Sequence, residues 1–120
     1  FLGYAPHRDL PQHYQWAHVF LHTSLHEAQG VVIAEAAASG VLVAGTQTGL
    51  LADLGDTRAV ISAIADHQSL SQKILHTVAD QSRYDTLRNA GRQWAESHDS
   101  SWTVREYLRL YDEVTPQTRR

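Results

Sequence analysis

The chain has 120 residues and a mass of 13.4 kDa, with 42% of its residues hydrophobic and 19% charged, the make-up of one globular domain that buries roughly two thirds of its unfolded surface and needs no staple. Ten Lys and Arg against thirteen Asp and Glu give a net charge of −3, which leaves no basic footprint for nucleic acid or an acidic membrane, and the absence of cysteine excludes a disulfide scaffold, a thiolate zinc site and a thiol nucleophile. No apolar run approaches the roughly 18 residues that span a bilayer and no charged leader precedes one, so a cytoplasmic location is expected, with peripheral membrane attachment left open for a longer polypeptide.

Short apolar runs alternate with helical patterns over residues 1–61, the signature of βαβ units and a parallel sheet. Phe1 to Tyr4, Val19 to His22, Val41 to Ala44 and, more weakly, Ala59 to Ile61 are the expected strands, each suited to burial on both faces. The opening Phe1-Leu2-Gly3-Tyr4 lacks an initiator Met and reads as the middle of a fold, so a preceding segment is expected. Between the first two strands, Asp9 as N-cap and Pro11 in the first turn predict a short helix ending near Trp16 or Ala17. The next helix spans Val31 to Ser39 between Gly30 and Gly40, and its alanines favour helix and close approach to a sheet.

Residues 62–115 read as helical. Leu70, Ile74 and Val78 form the apolar stripe of a helix over Gln68 to Ala79 with Asp66 as its cap. A second helix from about Ser82 to Ser97 carries Tyr84, Leu87, Gly91 and Trp94 on one face. A third, from about Trp102 to Val114, carries Val104, Leu108 and Tyr111, and Thr103 with Glu106 offers a capping box. The aromatic residues at helical spacing, Tyr84, Trp94, Trp102, Tyr107 and Tyr111, suit core or interdomain packing better than a sugar-stacking platform. Fraying is expected over Thr115 to Arg120.

Chemistry concentrates between Ser24 and Gly40, where a strand end passes through a loop into a helix start, the place at which open parallel sheets hold ligands. Unpaired amides at Gly30, Val31 and Val32 suit an anion such as a phosphate. Glu27 comes from the loop and Glu35 from about one turn inside the helix, leaning back toward its N-terminus, so both carboxylates can reach one pocket. Carboxylates repel phosphate but accept hydrogen bonds from a polyol. A ligand with phosphate in the middle and hydroxylated rings at both ends fits that pattern, as a nucleotide-diphosphate sugar does.

The same segment resembles the Glu-x7-Glu signature of retaining GT-B glycosyltransferases, the group 1 or family 4 enzymes. Ala17 to Ser24 looks like the strand before the signature, Glu27-Ala28-Gln29-Gly30 like its Glu-Gly-Phe-Gly loop, and Glu35-Ala36-Ala37-Ala38-Ser39-Gly40-Val41-Leu42-Val43 like its Glu-Ala-Met-Ala-x-Gly-x-Pro-Val run. Thr48 to Leu54 resembles the glycine loop after the next strand and Trp102 to Val114 the closing helix. The resemblance implies an α/β, Rossmann-like fold and places the whole chain, residues 1–120, in the later part of a C-terminal donor-binding domain. The N-terminal acceptor domain would be missing, so this piece alone is expected to be inactive.

Carried over by position, Glu35 would bind ribose hydroxyls and Glu27, the catalytic residue, would hold a hydroxyl of the transferred hexose near the reacting carbon. Backbone amides of Ala28, Gln29 and Gly30 would meet that sugar, Val31 and Val32 the diphosphate, and the turn at Tyr4 to Pro6 would border the base. The resemblance implies a UDP-, GDP- or ADP-sugar as donor, with no metal or other cofactor. Ala28 and Gln29 in place of Gly-Phe, Ala37 for Met, Leu42 for Pro and Thr23 for a frequent Pro depart from the family pattern, and the stretch from Asp53 to Ile61 is short. Competing readings are a stand-alone or degenerate module that holds a nucleotide sugar or a partner without catalysis, and a metal site at His22, His26 and Glu27. The last is disfavoured because that spacing spans a strand end and a loop, and these histidines are expected to be solvated or locally hydrogen-bonded. A sheet edge left open by missing strands would favour self-association.

Overall fold

The computed structural model describes residues 3–115. Three strands form one parallel sheet in sequential order: β1 (Val19–His22), β2 (Leu42–Thr46) and β3 (Val60–Ser62). Val19 pairs with Leu42 and His22 with Gly45, while Ala44 pairs with Val60 and Thr46 with Ser62. The second, third and fourth expected strands are thus present, the last two shifted toward their C-terminal ends. Of the expected first strand, residues 1 and 2 lie outside the described residues, and Gly3 and Tyr4 are irregular. Residues 116–120 of the expected frayed tail also lie outside.

Alternation along the strands divides the core into two layers. On one face Phe20, Val43 and Ile61 meet Tyr14 of α1 (Leu10–Trp16), Ile33, Ala36 and Ala37 of α2 (Val31–Ala38), and Leu51 and Leu54 of α3 (Leu50–Leu54). On the other, Val19, Leu42, Ala44 and Val60 meet Leu70 and Ile74 of α4 (His67–Ala79) and Leu87 of α5 (Gln81–Ser97). β2 is buried along its whole length, as a central parallel strand covered on both sides must be. The expected glycine loop, Thr48 to Leu54, contains α3, and the short stretch after it forms a 3-10 turn over Gly55–Thr57 that leads into β3.

Helix ends correct several expectations. Asp9 occupies the N-cap of α1, yet no side-chain bond forms there because the preceding 3-10 turn, His7–Asp9, already bends its backbone into a helical conformation. Aspartate caps three later helices: Asp66 accepts from the Ser69 amide, Asp80 from Arg83 and Asp99 from Trp102, each satisfying an orphan N–H. Asp99, rather than the expected box of Thr103 and Glu106, therefore starts the last helix, α6 (Ser100–Val114), while Thr103 donates back to the Asp99 carbonyl and Glu106 pairs with Arg109. In α4 the buried position near the end is Thr77, and Val78 of the expected stripe is exposed. Val104, Leu108 and Tyr111 of α6 are exposed as well, and no residue of that helix is buried.

Candidate functional site

Gly30 takes a left-handed conformation (φ 78°, ψ 57°), open to glycine without steric cost, and turns the chain from the loop after β1 into α2. Its carbonyl accepts from the Ile33 amide at 2.8 Å. The amides of Val31 and Val32 have no backbone acceptor among the described residues, and Gly30 has no side chain to cap them. Val31 and Val32 themselves are exposed. An open, uncapped helix start therefore presents two N–H groups and the positive end of the dipole outward.

The loop after β2 holds the same segment from the other side. Thr46 Oγ1 donates to the Ser24 carbonyl at 2.5 Å, Thr48 Oγ1 reaches the same oxygen at 3.4 Å, and the Leu50 amide donates to the Gln29 carbonyl at 3.0 Å. Gly49 lies against Glu27: a Cβ there would sit 2.8 Å from Glu27 Cγ and 3.0 Å from its carbonyl oxygen, and a Cβ on Gly30 would sit 3.1 Å from the same Cγ. The stem of Glu27 thus occupies a slot between two glycines, each with positive φ.

Each of the two carboxylates, Glu27 and Glu35, meets a histidine. His22 Nε2 lies 3.2 Å from Glu27 Oε2, both side chains being largely shielded, and His7 Nε2 lies 3.0 Å from Glu35 Oε1, with His7 itself well exposed. The Tyr14 hydroxyl donates to Glu35 Oε2 at 3.4 Å. Burial pushes the Tyr14 phenol above its ordinary value of 10.0, and the charge of Glu35 and the bond to it push further in the same direction. Beside Glu35 lies a cavity of about 190 Å³ lined by His7, Leu10, Pro11, Tyr14 and Ser39. Glu27 does not line it.

Of the residues expected to form the site, Glu27, Gly30 and Glu35 are half-buried, whereas Ala28, Gln29, Val31 and Val32 are exposed. The segment Tyr4 to Pro6 is irregular and leads into the 3-10 turn that brings His7 to Glu35. His22, expected to be solvated or locally bonded, is largely shielded and bonded to Glu27, and Gly49 belongs to the expected glycine loop, while His7 and Tyr14 had no expected role in the site. Strand alternation puts His22 on the face of Phe20, but its contact with Glu27 depends on the bend of the loop. A second cavity, about 380 Å³, opens behind the loop between Gln29, Leu50, Asp53 and the joint of α5 and α6, where His98 stacks on Trp94 at 4.5 Å and lies 4.6 Å from Trp102. Of the aromatic residues expected to pack, Tyr84 and Trp94 are half-buried, while Tyr107 and Tyr111 are exposed. Among the described residues no group of three His, Cys, Asp or Glu is placed to hold a metal ion, and no helix is long and apolar enough to cross a membrane.

Comparison with known proteins gives consistent results at three levels. Residues 1–94 match the family described as glycosyl transferases group 1. The O-antigen chain mannosyltransferase B of Escherichia coli is 29% identical over 102 residues, 85% of this chain and 26% of that protein. Among solved structures, the sucrose-phosphate synthase of Thermosynechococcus elongatus superposes with a TM-score of 0.81 at 25% identity, covering 95% of this chain and 29% of that one. Anabaena HepE in complex with UDP and glucose gives 0.79 at 22% identity, covering 96% and 32%. The fold is therefore the Rossmann-like α/β arrangement of these GT-B proteins, and the chain spans between a quarter and a third of their lengths.

Proposed function

The chain belongs to the glycosyl transferases group 1 family, and from that premise we propose that the end of the sheet at Glu27 and Glu35 binds a nucleotide-diphosphate sugar, from which a hexose passes to an acceptor with retained configuration. One observation carries the reading: two shielded carboxylates flank a helix start whose first amides are uncapped. The Val31 and Val32 amides take the diphosphate and stabilise charge as it gathers on the departing phosphate. Glu35 takes ribose hydroxyls. Glu27, with the amides of Ala28, Gln29 and Gly30, takes the transferred sugar. An acceptor hydroxyl attacks the face from which the phosphate leaves, its proton passing to the departing phosphate as the sugar–phosphate bond breaks, with the protein's contribution being preorganised donors rather than a covalent glutamate adduct. The scheme calls on no metal ion. Support for the donor class comes from the relatives themselves, a mannosyltransferase and a protein crystallised with UDP-glucose.

In this reading the chain is the later part of a donor-binding domain, with an acceptor-side domain as its partner in a longer polypeptide; the chain's spanning only a quarter to a third of its relatives' lengths supports the longer polypeptide. Detection of the native product with an antibody to this segment tests that placement, a mass well above 13.4 kDa being the expected result and a product of that mass the contrary one. In the full-length protein, Glu35→Ala should weaken donor affinity by about 1–3 kcal/mol. Glu27→Ala should lower turnover more than nucleotide binding. Donor affinity unchanged by Glu35→Ala would remove the ribose role, and tolerance of both changes would convert the chain into a partner-binding module.

A further inference from the structure

Three rings connect the two signature carboxylates across one face of the sheet. His22 Nε2 meets Glu27 Oε2 at 3.2 Å, the His22 ring lies nearly parallel to Phe20 (centroids 6.3 Å apart, 12° between planes), and Phe20 meets Tyr14 edge-on at 5.7 Å and 81°. Tyr14 in turn donates to Glu35. The row is anchored: Phe20 and His22 are two residues apart on β1, and Tyr14 belongs to the buried core. An ionised carboxylate only accepts hydrogen bonds, so the imidazole nitrogen facing Glu27 must carry the proton, leaving Oε1 of that carboxylate for another donor.

We propose that Tyr14, Phe20 and His22 act as one positioning unit that fixes Glu27 and Glu35 relative to each other, with His22 the positioning residue of Glu27. The inference rests on the donor-site reading for its catalytic consequence, but not for its geometry. His22 selects which oxygen of Glu27 faces the sugar, because its N–H occupies the other. The slot between Gly30 and Gly49 fixes the stem of that side chain, and His22 fixes its end. Tyr14 does the corresponding work at Glu35, and Phe20 transmits the spacing without touching either carboxylate.

Two measurements test this separately. Long-range nitrogen-15 correlation spectra of the 120-residue chain at neutral pH report the His22 tautomer without any ligand. The expected result is a proton held on Nε2, with the mixture typical of free histidine returning in Glu27→Ala and partly in Phe20→Leu. A proton on Nδ1, or a free-histidine mixture in the unaltered chain, would overturn the proposal. In the full-length protein, His22→Leu should lower kcat/KM by about 10- to 100-fold, since a displaced catalytic group costs up to that much, while affinity for the nucleoside diphosphate alone stays the same. His22→Gln, which returns an N–H near the same point, should recover most of the loss. A glutamine variant as impaired as the leucine one would overturn the positioning role. If the unaltered protein transfers no sugar at all, the donor-site reading fails, and the tautomer still decides whether the ring row holds Glu27.

Discussion

Helices α5 and α6 follow each other in the chain, each opens on an aspartate cap, and each carries an apolar stripe, yet they end in different surroundings. α5 lays Leu87 and Gly91 into the body, where a Cβ on Gly91 would come 2.9 Å from the Arg58 carbonyl, and Trp94 packs against the core beneath α2. α6 holds its own ends and flanks, with Asp99 as cap and Arg109 between Glu106 and Glu113, but Val104, Tyr107, Leu108, Tyr111 and Val114 all face outward. Amphipathicity states that a helix has an apolar face, and it does not state what covers that face. The cores that hold the site are built by α1, α2, α3, α4 and α5 against the sheet.

The sharpest way to break that contrast is to truncate one leucine in each region. Leu51, fully buried in the core with Ile33 and Ala37 of α2, should cost about 2–5 kcal/mol as Leu51→Ala, whereas Leu108→Ala in α6 should stay within about 0.5 kcal/mol, both read by denaturant unfolding of the chain. Equal losses would show that α6 is part of the core after all. Next in size is a pair of glycines with similar backbones. Gly49 and Gly55 both have positive φ, but only at Gly49 does an added Cβ meet Glu27, while at Gly55 nothing lies within 4 Å. Each alanine should cost about 1–3 kcal/mol of backbone strain, and Gly49→Ala alone should also abolish donor binding measured by calorimetry.

Cap removal gives a smaller contrast. Asp80→Ala, at the start of a helix tied to the core, should lower global stability by about 1 kcal/mol, while Asp99→Ala should reduce far-ultraviolet helicity with little change in the unfolding midpoint. Smallest is the alkaline limb of stability. The folded state holds the Tyr14 proton more tightly than the unfolded chain does, so stability should fall as pH rises above 10.0 toward the folded value. Tyr14→Phe removes the titrating group and should flatten that slope in a pH series of unfolding curves.

Much of the fold was legible because local signals agreed with the packing. Val19 to His22 sits where its apolar run placed it, Val31 begins a helix because Gly30 supplies the left-handed turn, and Asp66 caps the helix it precedes. Misplaced features were those in which one local pattern competed with another. Thr103 and Glu106 have the spacing of a capping box, but Asp99 reaches the Trp102 amide first and starts the helix earlier. The left-handed turn at Gly30, between the loop that carries Glu27 and the helix that carries Glu35, could be read from glycine placement. The braces of the two carboxylates could not, because His22 meets Glu27 only through the bend of the loop, and Gly49 and Tyr14 reach Glu27 and Glu35 from 22 and 21 residues away in sequence. A parallel sheet brings such positions together at one end, and a linear pattern does not record it.

The most direct test of the account is a titration of the nitrogen-15-labelled chain with UDP-glucose, GDP-mannose and ADP-glucose, followed by amide shifts. The account predicts that at least one donor moves the amides from Ala28 to Val32 together with the side chain of His22, and that Glu35→Ala weakens this response. Shifts confined to the cavity between Trp94 and Trp102, or a response at Ala28 to Val32 that persists unchanged in Glu35→Ala, would contradict it.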